Sequence, residues 1–269
     1  VIDLHLHTTA SDGRLTPGEL VDLAAASGLR VMAVTDHDTT GSVADVQTQA
    51  RTKGIEAVAG IEITAVLDGR DVHMLAYFID VADAAFQRFL VSQRAARLAR
   101  LEAIGARLAE LGMPVQLEAA LALGRLQSSV SVGRPQAARA LVAAGHVKDM
   151  NQAFDRWLGT GRPAFVPRVG PLPVDVIAIV HAARGLVSIA HPGRTQIDAA
   201  LPALRDAGLD AIEVYHSDHD DATTARYAAM AGELGVLVTG GSDFHDPASK
   251  LRPGSVTLPW RHWDRLVAR

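Results

Sequence analysis

The 269-residue sequence contains no cysteine. That excludes disulfides and thiolate metal sites, so any metal held by this chain must rest on histidine, aspartate and glutamate. No stretch is strongly basic either. The 26 Lys and Arg stand against 30 Asp and Glu, a formal net charge of −4. A broad electrostatic footprint for duplex nucleic acid is therefore not expected, although a few arginines in a cleft suffice for a small anionic substrate or the end of a strand. No apolar run approaches the roughly 20 residues that cross a bilayer. The chain opens Val1-Ile2-Asp3-Leu4, without a basic or apolar leader. The expectation is a cytoplasmic protein with no membrane contact and no obligate protein partner. No repeat of fixed period is visible.

What is present is a hydrophobic fraction of 48%, ample for one large α/β domain, alone or with an inserted subdomain. Short Val/Ile-rich runs at residues 1–5, 30–35, 56–61, 72–78, 186–190, 211–215 and 236–239 read as strands. Helix-period segments follow most of them, at 17–27, 42–53, 174–183, 197–207 and 221–234. Such alternation predicts a parallel sheet with helices outside it. Between the fourth and fifth strands the rhythm breaks. Residues 81–167 are Ala/Leu/Arg-rich and helical throughout, with a long helix at 84–111 and shorter ones at 116–123, 135–144 and 151–158. This predicts a barrel from residues 1–80 and 168–269, with an all-helical cap inserted after the fourth strand.

Chemistry-bearing side chains recur at the strand ends. The first strand supplies His5 and His7, with Asp12 close behind; the second runs into Asp36-His37-Asp38. Glu62 follows the third, His73 lies in the fourth, and His191 and His216 stand at the ends of the fifth and sixth. The seventh leads to Asp243 and His245. In a β/α barrel the carboxyl ends of the strands converge on one mouth, and residues two apart on a strand face the same way. Any one such histidine is more often a packing residue than a ligand, and His146, His181, His219 and His262 are read as that. Seven coincidences together are different. Acids and imidazoles crowded in one pocket need cations to neutralise them.

His5-x-His7, Thr35-Asp36-His37-Asp38, Gly60-x-Glu62, His73, His191-Pro192 and Ser242-Asp243-x-His245 resemble the ordered motifs of the polymerase and histidinol phosphatase (PHP) family. The resemblance implies a distorted seven-stranded, TIM-like β/α barrel and metal-dependent hydrolysis of phosphoesters. The helical insertion resembles the branch that acts on nucleoside 3′,5′-bisphosphates and on the 5′ ends of short RNA. That branch typically has Gly-Arg-Pro-His in the insertion; here the element is Gly133-Arg134-Pro135-Gln136. The resemblance further implies two or three divalent ions, Mn, Fe or Zn. His5, His7, Glu62 and Asp243 would hold the first. Glu62 would bridge to a second completed by His73 and His191, and Asp12, His37 and His245 would hold a third.

Asp36 and Asp38 read as residues that orient a ligand or start a helix. His216 is a candidate general acid or phosphate donor. Arg134 and Arg194 are candidate phosphate-binding residues, since an Arg fork suits phosphate oxygens; Arg162, Arg168, Lys250 and Arg252 are weaker ones. With no evident serine nucleophile, hydrolysis is expected to be direct, without a phosphoenzyme. The competing readings are histidinol-phosphate hydrolysis, which the cap and the Gly133-Arg134-Pro135 element disfavour, and a metal-binding regulatory module, which would not need a complete ligand set.

Overall fold

The computed structural model describes residues 1–268. One seven-stranded sheet runs in sequence order: β1 (Ile2–Leu6), β2 (Val31–Val34), β3 (Glu56–Leu67), β4 (Arg70–Tyr77), β5 (Leu186–Ile189), β6 (Ala211–His216) and β7 (Leu237–Gly241). It curls almost into a barrel. The His7 amide donates to the Phe244 carbonyl at 3.0 Å, and Leu6 and Phe244 form a parallel bridge between the exits of the first and last strands. The closure leaves no room for a side chain at Gly241, whose Cβ would lie 2.4 Å from the His5 nitrogen. Asp3, buried on β1, fastens the seam: it accepts from the Ser242 amide at 2.9 Å, the Ser242 hydroxyl at 2.6 Å and the Gly254 amide at 2.7 Å.

The expectation of parallel pairing throughout is corrected at β4, which runs antiparallel to both its neighbours. The cause is local. Asp68 and Gly69 both have positive φ, 49° and 73°, the Asp-Gly pattern of a two-residue hairpin turn. β3 therefore continues well past residue 61 and returns directly as β4. The other neighbouring pairs are parallel.

Outside the sheet lie α1 (Pro17–Ala26) and α2 (Val43–Thr52). Thr16 and Glu19 close a capping box on α1, with Pro17 at its first position, where a missing N–H costs nothing. After β4 come α3 (Ala84–Glu110), α4 (Glu118–Leu126), α5 (Arg134–Ala143) and α6 (Met150–Ala153), the last running into a π-helical turn at Phe154–Leu158. α3 serves two cores. Phe86 and Leu90 sit in the cluster packed around the sheet, while Leu101, Ile104 and Leu108 join Val132, Ala137, Leu141 and Leu158 in a separate one. α7 (Pro173–Ala182), α8 (Pro192–Thr195), α9 (Leu201–Asp206), α10 (Asp221–Leu234) and α11 (Trp260–Val267) complete the chain. The single helix expected over 197–207 is instead a 3-10 turn at Asp198–Ala200 followed by α9, with Pro202 in its first turn, consistent with proline's intolerance of a helix interior. α11 was not anticipated. α10 begins on Asp220, which accepts from the Thr223 amide at 2.8 Å, and ends on Gly235 at φ 70°, as cap chemistry requires. Among the described residues no helix is long and apolar enough to cross a membrane.

Candidate metal centre and its cavity

The nine sequence-expected ligand residues come together at one mouth of the barrel. His5 and His7 project from β1 and its exit; their Nε2 atoms lie 3.3 Å from Glu62 Oε2 and 3.3 and 3.2 Å from Asp243 Oδ1. His37 Nδ1 is 3.2 Å from the same Glu62 oxygen. The other Glu62 oxygen faces His73 Nδ1 at 2.7 Å and His191 Nε2 at 3.2 Å. Asp12 meets His7 Nδ1 and His37 Nε2 at 3.6 Å, and His245 Nε2 at 3.3 Å. His73 reaches this mouth from mid-strand, opposite Thr64, because β4 is reversed. The carboxyl-end rule thus holds for the parallel strands and fails for this one.

Several ring nitrogens have no hydrogen-bond partner although buried: both of His7, Nδ1 of His37 and Nδ1 of His191. Leaving such atoms unpaired is costly. Donor sets lying within 4.8 Å of one another are His5/His7/Glu62/Asp243, His7/Asp12/His37/His245, His37/Glu62/His73 and, behind the first, His5/Glu213/His216. Ligands about 2.1 Å from one ion stand about 3–3.4 Å apart, the spacing seen around Glu62 and Asp243. Imidazole and carboxylate without thiolate suit Mn, Fe or Zn. The residues therefore fit divalent ions.

Electrostatics agree. Burial alone would raise the Glu62 carboxyl, but His37, His73 and His5 hold it well below the ordinary range. Asp12 is held down by His245 and His37, and Asp243 by His5 and His245, against the same penalty. The complementary effect falls on His7: burial opposes its charge, yet the facing carboxylates of Asp243 and Glu62 lift it to about 10. His5 is raised as well, by Glu213, Asp243 and Glu62 against burial. Burial prevails at His37, lowered to about 3, and at His191. The acids draw positive charge to the centre, which protons or cations can supply.

The backbone at the mouth is strained. Asp38, His191 and Asp243 have φ of 51°, 28° and 54°, costly for non-glycine residues and typical of functional sites. His191 also precedes a proline, which disfavours its conformation further. Its amide donates to Glu213 Oε2 at 2.7 Å, and Glu213 Oε1 accepts from His5 Nδ1 at 2.9 Å. One buried acid thus fixes a backbone and a ring, leaving His5 Nε2 aimed at Glu62 and Asp243.

His216 is placed differently from expectation. Its ring is enclosed and absent from the cavity lining. Nδ1 accepts from the Asp218 amide at 3.0 Å, and Nε2 faces Asp243 Oδ2 at 3.4 Å. The reason is a register shift between Glu213 and Tyr215, an irregularity that re-aims side chains; Glu213 and His216, three apart, both turn inward. Asp36 neither orients a ring nor caps through its own helix. It accepts from the hydroxyls of Thr8, Ser11 and Ser42 at 2.6, 2.6 and 2.5 Å, tying the loop that carries Asp12.

Beyond the histidines the cavity, about 870 Å³, is belted by arginines. Asp38 Oδ2 accepts from Arg97 and Arg168, and Asp71 Oδ2 from Arg100 and Arg134, all at 2.9 Å. Against burial, Arg134 and Arg100 hold Asp71 down at about 2; burial lowers Arg134 to about 10. Arg100 Nη2 and Arg168 Nε are buried without a partner. Arg194 lines the cavity from an exposed position, 3.8 Å from Asp243. Arg94, Arg97 and Arg100 recur every third residue along α3; that stripe, together with Asp71, was the unused sequence signal for the belt. Gln136 stays away from the histidines: it closes the α5 cap on the Gly133 amide at 2.8 Å and donates to the Ser11 carbonyl at 3.0 Å. Among the four histidines read as packing residues, His219 spans from the Val214 carbonyl to the Gly193 amide, and His181 pairs with Asp210.

The model of the PHP domain matches residues 3–117. The chain is 35% identical over its whole length to a 3′,5′-nucleoside bisphosphate phosphatase of Chromobacterium violaceum, covering 98% of that protein. It is also 35% identical, over 94% of the chain and 92% of the relative, to a 5′-3′ exoribonuclease of Haemophilus influenzae. In structure it resembles a protein of Bifidobacterium adolescentis assigned as a metal-dependent phosphoesterase, with TM-score 0.90 and 33% identity over 99% of this chain and 95% of the other.

Proposed function

The chain belongs to the PHP family and is a metal-dependent phosphoric ester hydrolase; from that premise we propose that it acts on nucleoside 3′,5′-bisphosphates or on the 5′ end of short oligoribonucleotides, in the cytoplasm. One observation carries the reading: the two oxygens of Glu62 are shared out between separate sets of imidazoles, Oε2 to His5, His7 and His37 and Oε1 to His73 and His191. That is the disposition of a carboxylate that bridges two ions. His5, His7, Glu62 and Asp243 would hold one ion, Glu62, His73 and His191 a second, and Asp12, His37 and His245 a third, of Mn, Fe or Zn. Bound there, divalent ions make water nucleophilic near neutral pH and offset the charge of the phosphoryl group.

The chain's own residues supply the rest. Glu213 fixes the His5 tautomer, so that Nε2 is the lone pair presented to the centre. His216 holds Asp243, and we assign it that orienting role in place of proton donation, because its ring does not meet the cavity. Arg134, Arg194 and the unpartnered edges of Arg100 and Arg168 bind and orient phosphate oxygens. The residues 81–167 act as a cap subdomain that bounds the cavity. The chain offers no serine or cysteine nucleophile at the centre, so hydrolysis is direct.

The test is release of phosphate from adenosine 3′,5′-bisphosphate and from histidinol phosphate, and of nucleoside 5′-monophosphate from a short 5′-phosphorylated oligoribonucleotide, by protein loaded with Mn. Turnover of the bisphosphate or the oligoribonucleotide, at a kcat/KM well above that for histidinol phosphate, is the expected result. Preference for histidinol phosphate would overturn the substrate assignment.

A further inference from the structure

The cavity is graded. Its floor is imidazole and carboxylate and its waist is arginine, but its cap side includes Val142, Met150 and Phe154. Metal-bound and arginine-bound phosphates have no use for an apolar wall. Phe154 opens the π-helical turn at Phe154–Leu158, a rare distortion that is found mostly at functional sites. Its ring is only half-buried, and the Arg134 guanidinium stands over it, 5.8 Å from the centroid. The same Arg134 is anchored on Asp71. A cavity-lining arginine and a half-buried aromatic ring are thus neighbours.

We propose that Phe154, flanked by Met150, is the seat of the substrate's nucleobase, which stacks on the ring while Arg134 spans the ring and the phosphate. This rests on the nucleotide reading above and extends it to base selectivity. Asp149 accepts from the Gln152 amide at 2.8 Å as the α6 cap, and Lys148 lies 3.7 Å from Asp149. The side chains of Val142, Met150 and Phe154 offer a base edge no hydrogen bond, so this wall reads a flat π-face and not a hydrogen-bond pattern. Such stacking tolerates any base and favours the larger purines.

The test compares wild type with Phe154→Ala and Phe154→Leu, on adenosine 3′,5′-bisphosphate and on the abasic 1-deoxyribose 3,5-bisphosphate. The leucine variant keeps most of the packing volume and removes the π-face. Both variants are expected to raise KM for the adenosine substrate by roughly 10-fold, as loss of one base stack does. In both, kcat on adenosine and both constants on the abasic substrate should stay within about 2-fold. Equal losses on the two substrates would make Phe154 a structural residue only, and an unchanged KM would remove it from the site; either overturns the proposal. Should wild type hydrolyse neither bisphosphate, the substrate assignment fails separately. Calorimetry of AMP against ribose 5-phosphate then decides the point: tighter AMP binding that is lost in Phe154→Leu supports the seat, and equal binding of the two ligands refutes it.

Discussion

Asp12, Glu62 and Asp243 line the cavity together with Asp71, while Asp38 lies buried behind Arg97 and Arg168, yet the two groups of acids, Asp12/Glu62/Asp243 and Asp38/Asp71, are satisfied in opposite ways. The first group is surrounded by imidazoles, several with unpartnered nitrogens. The second is neutralised by arginines, two to each carboxylate. An Arg–carboxylate pair is complete within the chain and keeps its charge at every ordinary pH. A carboxylate–imidazole cluster becomes complete only when protons or cations enter. Arg97 and Arg100 come from α3 and Arg134 from α5, while Asp38 and Asp71 come from the barrel. The arginine pairs therefore join the helical segment to the barrel, and the imidazole cluster is left for chemistry.

The comparison breaks most sharply at Glu62. Glu62→Gln removes the charge shared by both halves of the cluster, and turnover should fall on the order of 10³-fold, with metal per chain reduced by elemental analysis. Retained metal and turnover would show that Glu62 bridges nothing. On the other side of the comparison, Asp38→Asn leaves Arg97 and Arg168 buried without a counter-charge. It should lower stability by about 3 kcal/mol, read by urea unfolding, while metal content stays at the wild-type level. A loss of metal without a loss of stability would reverse the roles given to the two groups.

Smaller effects sharpen the same line. Glu213→Gln keeps the shape but weakens the hold on the His5 ring and on the strained His191 backbone. Metal affinity by calorimetry should fall about 10- to 100-fold, the usual effect of removing a partner behind a ligand, with the melting temperature of the metal-free protein little altered. An unchanged affinity would leave Glu213 a packing acid. The gentlest probe is pH. With His7 lifted to about 10 in the ion-free cluster, its ring is protonated at pH 7 and must release that proton when an ion binds. Affinity should rise with pH, and the melting-temperature gap between loaded and chelated protein should narrow on going from pH 8 to pH 5.5. A gap independent of pH would mean that no imidazole is exchanged for metal.

Much of this was legible in the residues. The strand positions and the long helix follow from periodicity, the recurrence of ligand-type residues after strands supplied the candidates, and the resemblance to the PHP motifs narrowed them to the nine of the cluster. β4 was misjudged because alternation reports burial, not direction; Asp68-Gly69 was the signal that the chain doubles back. His216 turns inward because a strand irregularity between Glu213 and Tyr215 shifts the face, and nothing in composition marks a bulge. Glu213 itself was visible only as a motif member, since an acid behind a histidine looks the same in sequence as one beside it. Of the arginine belt only the Arg94/Arg97/Arg100 stripe on α3 was visible, because its pairings, such as Arg100 with Asp71 and Arg168 with Asp38, span more than 25 residues.

The central claim is that the imidazole-facing acids are a cation site and the arginine-facing ones are not. Anomalous diffraction at the manganese edge, from crystals of this protein grown with Mn, addresses it directly. The account predicts one peak among His5, His7, Glu62 and Asp243 and another among Glu62, His73 and His191, with none at Asp38 or Asp71. Density for manganese only outside that cluster, or no peak within it, would contradict the account.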